Sequence, residues 1–117
     1  MAGWWALVGI YAALILAVSV VPVDPRLAPG RLDKVAHLGE YLLFAWLLLR
    51  ALRETRLPRA GWIAWASASG YGIVMELIQA WLPWRSAQAG DAAANALGAA
   101  IGVLLGRRLL SSPHAPA

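Results

Sequence analysis

The stretch WWALVGIYAALILAVSVVPV, residues Trp4–Val23, is twenty residues long and contains no charged side chain. The hydrocarbon core of a bilayer is about 30 Å thick, and about 20 apolar residues in a helix span it. The stretch therefore predicts a transmembrane helix. A cleaved signal peptide is the alternative, because Ala17-Val18-Ser19 has the small-x-small pattern of a cleavage site. The first five residues include two tryptophans and no Lys or Arg, which favours a retained membrane anchor.

The composition of the whole chain agrees with a membrane protein. Hydrophobic residues make up 61% of the 117 residues and charged residues 14%, whereas soluble domains have about 45–50% and about 25%. A soluble globule of this size cannot bury so much apolar surface, and disordered chains have the opposite composition. The absence of cysteine excludes disulfides and thiolate sites. We expect one membrane domain over residues 1–117.

Three further apolar runs follow the first, separated by segments rich in proline, glycine or arginine. We predict helices at about residues 4–23, 34–52, 60–82 and 91–110. Pairs of tryptophans at the ends of the first and third runs suit the two membrane interfaces. The predicted fold is an all-α, polytopic membrane protein, a bundle of four transmembrane helices.

The basic residues indicate how such a bundle is oriented. The formal charge is +4 and the pI about 10.4, but the Lys and Arg residues lie in the predicted loops, so we expect no nucleic-acid partner. The loop at residues 50–59 and the C-terminal tail together hold six of them, and the opposite side holds four. Because short cytoplasmic loops collect positive charge, both termini are expected in the cytoplasm of a multi-pass protein of the bacterial cytoplasmic membrane.

Polar side chains recur on one face of each of the last three predicted helices. Ionisable groups at membrane depth are costly and usually mark function. The helical spacing aligns these residues: His37, Glu40, Tyr41; Gly72, Glu76, Gln79; Asp91, Asn95, Gly98, Gly102. All three sets approach the end where helices two and four begin and helix three ends. We therefore predict a polar pocket that opens toward the outer face.

Each polar residue also has a simpler interpretation. Asp33 and Asp91 stand at the starts of their predicted helices and suit N-caps. Lys34 suits a headgroup contact, and Tyr41 an interfacial anchor. Arg85 is expected to pair with Glu76 and Asp91. Glu76 is the hardest to explain structurally, because a neutral residue would serve any packing role at that depth. The glycines spaced four apart in the last helix are expected only to let helices pack closely.

The ordered set of motifs resembles the VanZ-like family of small bacterial membrane proteins. The resemblance extends from Asp33 to Gly102 and rests on these motifs: Asp33-Lys34-x-x-His37-x-x-x-Tyr41, Glu76-x-x-Gln79, Arg85-Ser86 and Asp91-x-x-x-Asn95-x-x-Gly98. Glu40 and Trp46 are not part of the pattern. The family takes its name from a teicoplanin-resistance accessory protein, which implies a link to glycopeptide susceptibility of the cell envelope.

The predicted pocket admits several functions. The first is binding of a lipid or glycolipid headgroup, or of a lipid-linked envelope precursor, by the following residues: Asp33, Lys34, His37, Tyr41, Glu76, Gln79, Arg85, Ser86, Asp91 and Asn95. The second is an intramembrane enzyme with His37 and Glu76 as acid and base, although no HExxH or nucleophile-elbow motif is present. The third is proton-coupled transport, for which so small a bundle would need a homodimer. A purely structural subunit is the fourth.

A metal centre is a further alternative for the same residues. A site for a hard metal ion would use Asp33, His37, Glu76 and Asp91. Their spacing matches no known metal motif. The sequence prediction is therefore no metal and no cofactor.

Overall fold

The computed structural model describes residues 2–22, 30–85 and 87–110, and the regular elements in these ranges are four α-helices. They are α1 (Ala2–Val20), α2 (Gly30–Arg53), α3 (Ala60–Trp81) and α4 (Ala89–Leu110). The number and order of helices agree with the prediction.

The predicted helix boundaries were wrong by up to four residues. α1 ends at Val20, since Val21 precedes Pro22 and a residue before proline disfavours helical geometry. α2 begins four residues early and α4 two, because a first helical turn does not have to be apolar. Asp33 and Asp91 therefore lie inside the first turns and are not N-caps. Carboxylates in a first turn also interact favourably with the helix dipole.

Three of the four helices are long and apolar enough to cross a membrane. These are Gly3–Val20, Asp33–Arg53 and Ala89–Leu109. α3 has a comparable length but contains Ser67, Ser69, Glu76 and Gln79, which lower its hydropathy. Large apolar side chains are exposed on all four helices, including Trp62 and Trp81 on α3. Exposed apolar surface of this extent is typical of a protein that faces lipid.

Consecutive helices run in opposite directions. Gln79 near the end of α3 donates from Nε2 to the carbonyl of Ser19 near the end of α1, at 3.0 Å. Lys34 near the start of α2 donates to Oε1 of Gln88, just before α4, at 2.7 Å. We call this end of the bundle, where α1 and α3 end and α2 and α4 begin, the polar end.

The tightest helix pair is α2 with α4, which run parallel to each other. A Cβ atom added at Gly98 would overlap the backbone carbonyl of Leu38, and one added at Gly102 would overlap that of Leu42. The same four-residue step on both helices keeps their backbones in contact over a full turn. This confirms the packing role expected of the glycines.

α1 is held by tyrosine hydroxyls and aromatic packing. Tyr11 donates from its hydroxyl to the carbonyl of Glu40 on α2 at 2.9 Å, and Tyr71 on α3 donates to that of Ala12 at 2.6 Å. Phe44 lies among the rings of Tyr11, Tyr41 and Tyr71, with centroids 5.2 to 6.1 Å away. The core thus lies around α2.

Candidate functional site

The outermost part of the site is an ion pair between the first turns of α2 and α4. The ammonium of Lys34 pairs with the carboxylate of Asp91 and also donates to Oε1 of Gln88 at 2.7 Å. Asp91 is only 4% exposed, whereas the side chain of Lys34 is 37% exposed. A nearly buried carboxylate is thus neutralised by a cation that still reaches the surface.

His37 lies one turn into α2 beside this pair. Its Nδ1 is 2.9 Å from the backbone carbonyl of Asp33. Since a carbonyl only accepts, this hydrogen bond places a proton on Nδ1 and, in the neutral ring, leaves a lone pair on Nε2. Nε2 is 3.9 Å from Oδ2 of Asp91, which is too far for a hydrogen bond. A basic nitrogen therefore lies next to a carboxylate without a proton shared between them.

The side chain of Asp33 completes a group of three metal-ligating residues. Its Oδ1 is 3.6 Å from Nδ1 of His37. One ligand atom from each of Asp33, His37 and Asp91 lies within 4.8 Å of the other two. The group combines one imidazole with two carboxylates.

α3 contributes Glu76, which is 8% exposed. Its Oε2 accepts a hydrogen bond from the backbone N–H of Gln88 at 3.0 Å. Its carboxylate also interacts electrostatically with Asp91, His37 and Lys34. The carboxylate on α3 therefore belongs to the same cluster of charged side chains as the residues on α2 and α4. We call Asp33, Lys34, His37, Glu76, Gln88 and Asp91 the polar cluster.

The predicted pairing of Arg85 with Glu76 and Asp91 is not what the structure has. Nη1 of Arg85 donates to the backbone carbonyl of Val21 at 3.3 Å. Asp91 instead pairs with Lys34, and Glu76 accepts a hydrogen bond from the backbone N–H of Gln88.

A deeper layer lies one turn below the polar cluster, on the same helix faces. Tyr41 and Asn95 are each 1% exposed, and both pack against Gly72 of α3. A Cβ atom added at Gly72 would be 2.9 Å from Nδ2 of Asn95 and 3.1 Å from Cε2 of Tyr41. The Tyr41 hydroxyl, Oδ1 of Asn95 and Oε1 of Gln79 are buried without a hydrogen-bond partner among the described residues.

Two predicted site residues have a different place from the one expected. Tyr41 is buried and not an interfacial anchor, because its ring fills the space left by Gly72. Gln79 binds the Ser19 carbonyl with its amide nitrogen, so half of its hydrogen-bonding capacity connects α3 to α1. Ser86 lies outside the described residues.

Sequence reasoning missed Gln88 and the role of Gly72. Gln88 precedes a helix, where no periodicity marks it, although its position three residues before Asp91 was a signal. Gly72 was assigned to the polar face of α3 but not to the contact that brings Asn95 and Tyr41 together.

A family model described as VanZ/LLP1 matches residues 4–110. The chain belongs to the VanZ/LLP1 family. The match covers nearly the whole chain and includes α1, which the motifs at residues 33–102 did not. No curated protein and no solved structure matches the chain.

In this VanZ/LLP1 protein, the polar cluster combines several kinds of charged and titratable group at one end of the bundle. It offers a cation on a flexible stem, an imidazole whose Nδ1 proton is fixed, and carboxylates from three helices. Such a set can bind an anionic group through Lys34, bind a cation through the carboxylates, or transfer a proton at His37.

Proposed function

We propose that this VanZ/LLP1 protein is a four-span protein of the bacterial cytoplasmic membrane with both termini in the cytoplasm. The twenty-two residues of α3 suffice for a span. Exposed Ile73, Val74 and Leu77 on α3 suit a lipid-facing surface. The excess of Lys and Arg at the opposite end from the polar cluster supports the orientation. The polar end would then be at the outer face.

At that face, the polar cluster binds the headgroup of an envelope lipid or of a lipid-linked envelope precursor. The observation that carries this proposal is the convergence of ionisable side chains from α2, α3 and α4 at one end of the bundle. Lys34 is exposed enough to turn from Asp91 toward a phosphate, and Arg85 lies on the neighbouring loop. Charge-assisted hydrogen bonds to phosphate are among the strong ones. Glu76 and Asn95 would accept hydrogen bonds from hydroxyl groups of the headgroup.

Native mass spectrometry of the detergent-purified protein tests this proposal. We expect the wild type to retain a phospholipid or polyprenyl phosphate, and Lys34→Gln and Arg85→Ala to retain at least tenfold less. Arg108→Ala is the matched control, because Arg108 lies in the last turn of α4, at the other end of the bundle. Equal retention in all four proteins would refute headgroup binding at the polar end. The same spectra report whether the protein is a homodimer.

The geometry of His37 favours a second candidate, an intramembrane enzyme. Its Nδ1 is held by the Asp33 carbonyl, so Nε2 is oriented as a base, and Glu76 is near enough to interact with the ring. The test is an assay of phosphate release from polyprenyl diphosphate in detergent micelles. If the protein is such an enzyme, His37→Gln should abolish turnover and His114→Gln should leave it unchanged. Turnover unaffected by His37→Gln would exclude this acid–base role.

The link to glycopeptide susceptibility is proposed from the family resemblance. Expression of this protein in a susceptible bacterium should raise the inhibitory concentration of teicoplanin, and Glu76→Gln should remove the increase. Glu54→Gln is the control, since Glu54 pairs with Arg50 at the other end of the bundle. An increase that persists in Glu76→Gln would separate the polar cluster from this phenotype.

A further inference from the structure

We propose that Asp33, His37 and Asp91 bind a divalent transition-metal ion of the Zn²⁺ type, and that Lys34 occupies the Asp91 carboxylate when the metal is absent. The proposal concerns the outer part of the polar cluster and does not require that a lipid bind there.

The distances are close to those of a metal site. Ligand atoms about 2.0–2.2 Å from one zinc ion lie roughly 3–4 Å from each other. Nε2 of His37 and Oδ2 of Asp91 are 3.9 Å apart, and the three residues offer ligand atoms within 4.8 Å of one another. Oδ1 of Asp33 lies nearer Nδ1, at 3.6 Å. Because Asp33 is partly exposed, rotation of its side chain can bring the carboxylate toward Nε2.

The orientation of His37 matches that of a metal ligand. Metal-binding histidines usually donate their second ring N–H to a carbonyl or carboxylate, which fixes the ring and the tautomer. Nδ1 of His37 does this with the carbonyl of Asp33. The free Nε2 then faces Asp91 with no hydrogen bond between them. A cation bound between these two electron-pair donors would be coordinated by both.

The charge of the cluster also favours a divalent ion. The cluster contains the carboxylates of Asp33, Glu76 and Asp91 against the single ammonium of Lys34, a formal balance of 3 negative to 1 positive with His37 neutral. One divalent ion neutralises the difference. An imidazole with two carboxylates suits Zn²⁺ or Mn²⁺ better than Ca²⁺ or Mg²⁺, which prefer oxygen ligands alone.

A second observation points to a ligand at this end. The Tyr41 hydroxyl and Oδ1 of Asn95 are buried without a partner among the described residues, one turn deeper on the faces that carry His37 and Asp91. Buried polar atoms of this kind are usually satisfied by ordered water. Water or a ligand bound between the polar cluster and this layer would supply that partner.

The test is zinc binding to the full-length protein in detergent, stripped with EDTA and free of added lipid. Metal content after gel filtration gives the stoichiometry, and quenching or shift of tryptophan emission gives the affinity. We expect one Zn²⁺ per chain, with tighter binding than of Mg²⁺. His37→Gln and Asp91→Asn should each weaken binding at least tenfold. His114→Gln is the matched control, because His37 and His114 are the two histidines of the chain.

Lys34→Gln is the decisive variant, because the proposal predicts tighter zinc binding for it, and misfolding would only weaken binding. If Lys34 competes with the metal for Asp91, its removal should tighten zinc binding severalfold. Unchanged or weaker binding in folded Lys34→Gln would overturn the proposal. Absence of zinc binding to the wild type at about 100 µM, a dissociation constant worth only about 5 kcal/mol, would also overturn it. So would a loss of binding in His114→Gln instead of His37→Gln. Lipid retention by zinc-free protein is measured separately, so either proposal can fail alone.

Discussion

Lys34 and Asp91 form an ion pair whose members differ in exposure, and this asymmetry predicts unequal effects of mutation. Lys34→Gln leaves a nearly buried carboxylate without its cation, at a cost of about 1–3 kcal/mol. Asp91→Asn leaves an ammonium that can turn to solvent and should cost less. The stability of both variants is measured by unfolding in SDS, in the presence of EDTA, with tryptophan fluorescence as the signal. Glu54→Gln, which removes an ion pair of two partly exposed side chains at the other end of the bundle, should cost less than Lys34→Gln.

The double variant Lys34→Gln/Asp91→Asn separates the pair from its surroundings. If the pair acts as described, the double variant should be more stable than Lys34→Gln alone. A larger loss in Asp91→Asn than in Lys34→Gln would contradict this account of the pair.

Two tyrosines that both contact Phe44 should respond differently to loss of their hydroxyls. The Tyr41 hydroxyl is buried and unpartnered, so Tyr41→Phe should leave the metal-free protein as stable or stabilise it by up to about 1 kcal/mol. The Tyr71 hydroxyl donates to the Ala12 carbonyl, so Tyr71→Phe should cost about 0.6 kcal/mol. The same SDS unfolding measures both. A greater loss in Tyr41→Phe would mean that its hydroxyl has a bound partner.

The candidate site was predictable in its axial position but not in its pairings. Helix direction and a rise of about 1.5 Å per residue bring His37, Glu76 and Asp91 to one end of the bundle. Which cation meets Asp91 depends on where α2 starts and on the path of the chain before α4. Neither carries a periodic signal, so Lys34 was treated as a headgroup contact and Gln88 was missed.

The contact between α2 and α4 depends on glycines of α4 that lie against the backbone of α2. An alanine at position 98 or 102 would place its Cβ against a carbonyl of α2, which cannot move without separating the helices. We expect Gly98→Ala to lose about 1–3 kcal/mol, although alanine is the better helix former. Gly70→Ala, whose Cβ would meet nothing within 4 Å, is the control and should gain up to about 1 kcal/mol. Equal stability of the two variants would contradict the close packing.

Sequence periodicity predicted the four helices and the packing role of the glycines, but it did not predict their partner. A small-residue stripe marks a close approach, and any of the other helices could supply it. The step from Leu38 to Leu42 that matches Gly98 to Gly102 becomes visible only when α2 and α4 lie side by side. The end of α1 was predicted three residues too late, because the apolar run continues to Val23 whereas the helix ends at Val20, before Pro22.

α1 is attached to the bundle differently from the other three helices. It packs on α2 and α3 and, within the described residues, not on α4. Besides aromatic packing, its attachments include hydrogen bonds from side chains of α1, α3 and the following loop to backbone carbonyls, such as that from Trp84 to Val20 at 2.6 Å. Most of the remaining surface of α1 is exposed and apolar. The polar cluster is thus built by α2, α3 and α4, and α1 closes one side of the bundle.

The proposed topology makes a prediction about which loops face which compartment. The chain contains no cysteine, so a single introduced cysteine reports its own side of the membrane. Ala87→Cys, before α4, should react with a membrane-impermeant maleimide in intact cells. Arg56→Cys, between α2 and α3, should react only after permeabilisation, because four spans place these exposed residues on opposite faces. Labelling of both in intact cells, or of neither, would mean that α3 does not cross the bilayer. Reversed labelling would keep the four spans but invert them, and the polar cluster would then face the cytoplasm.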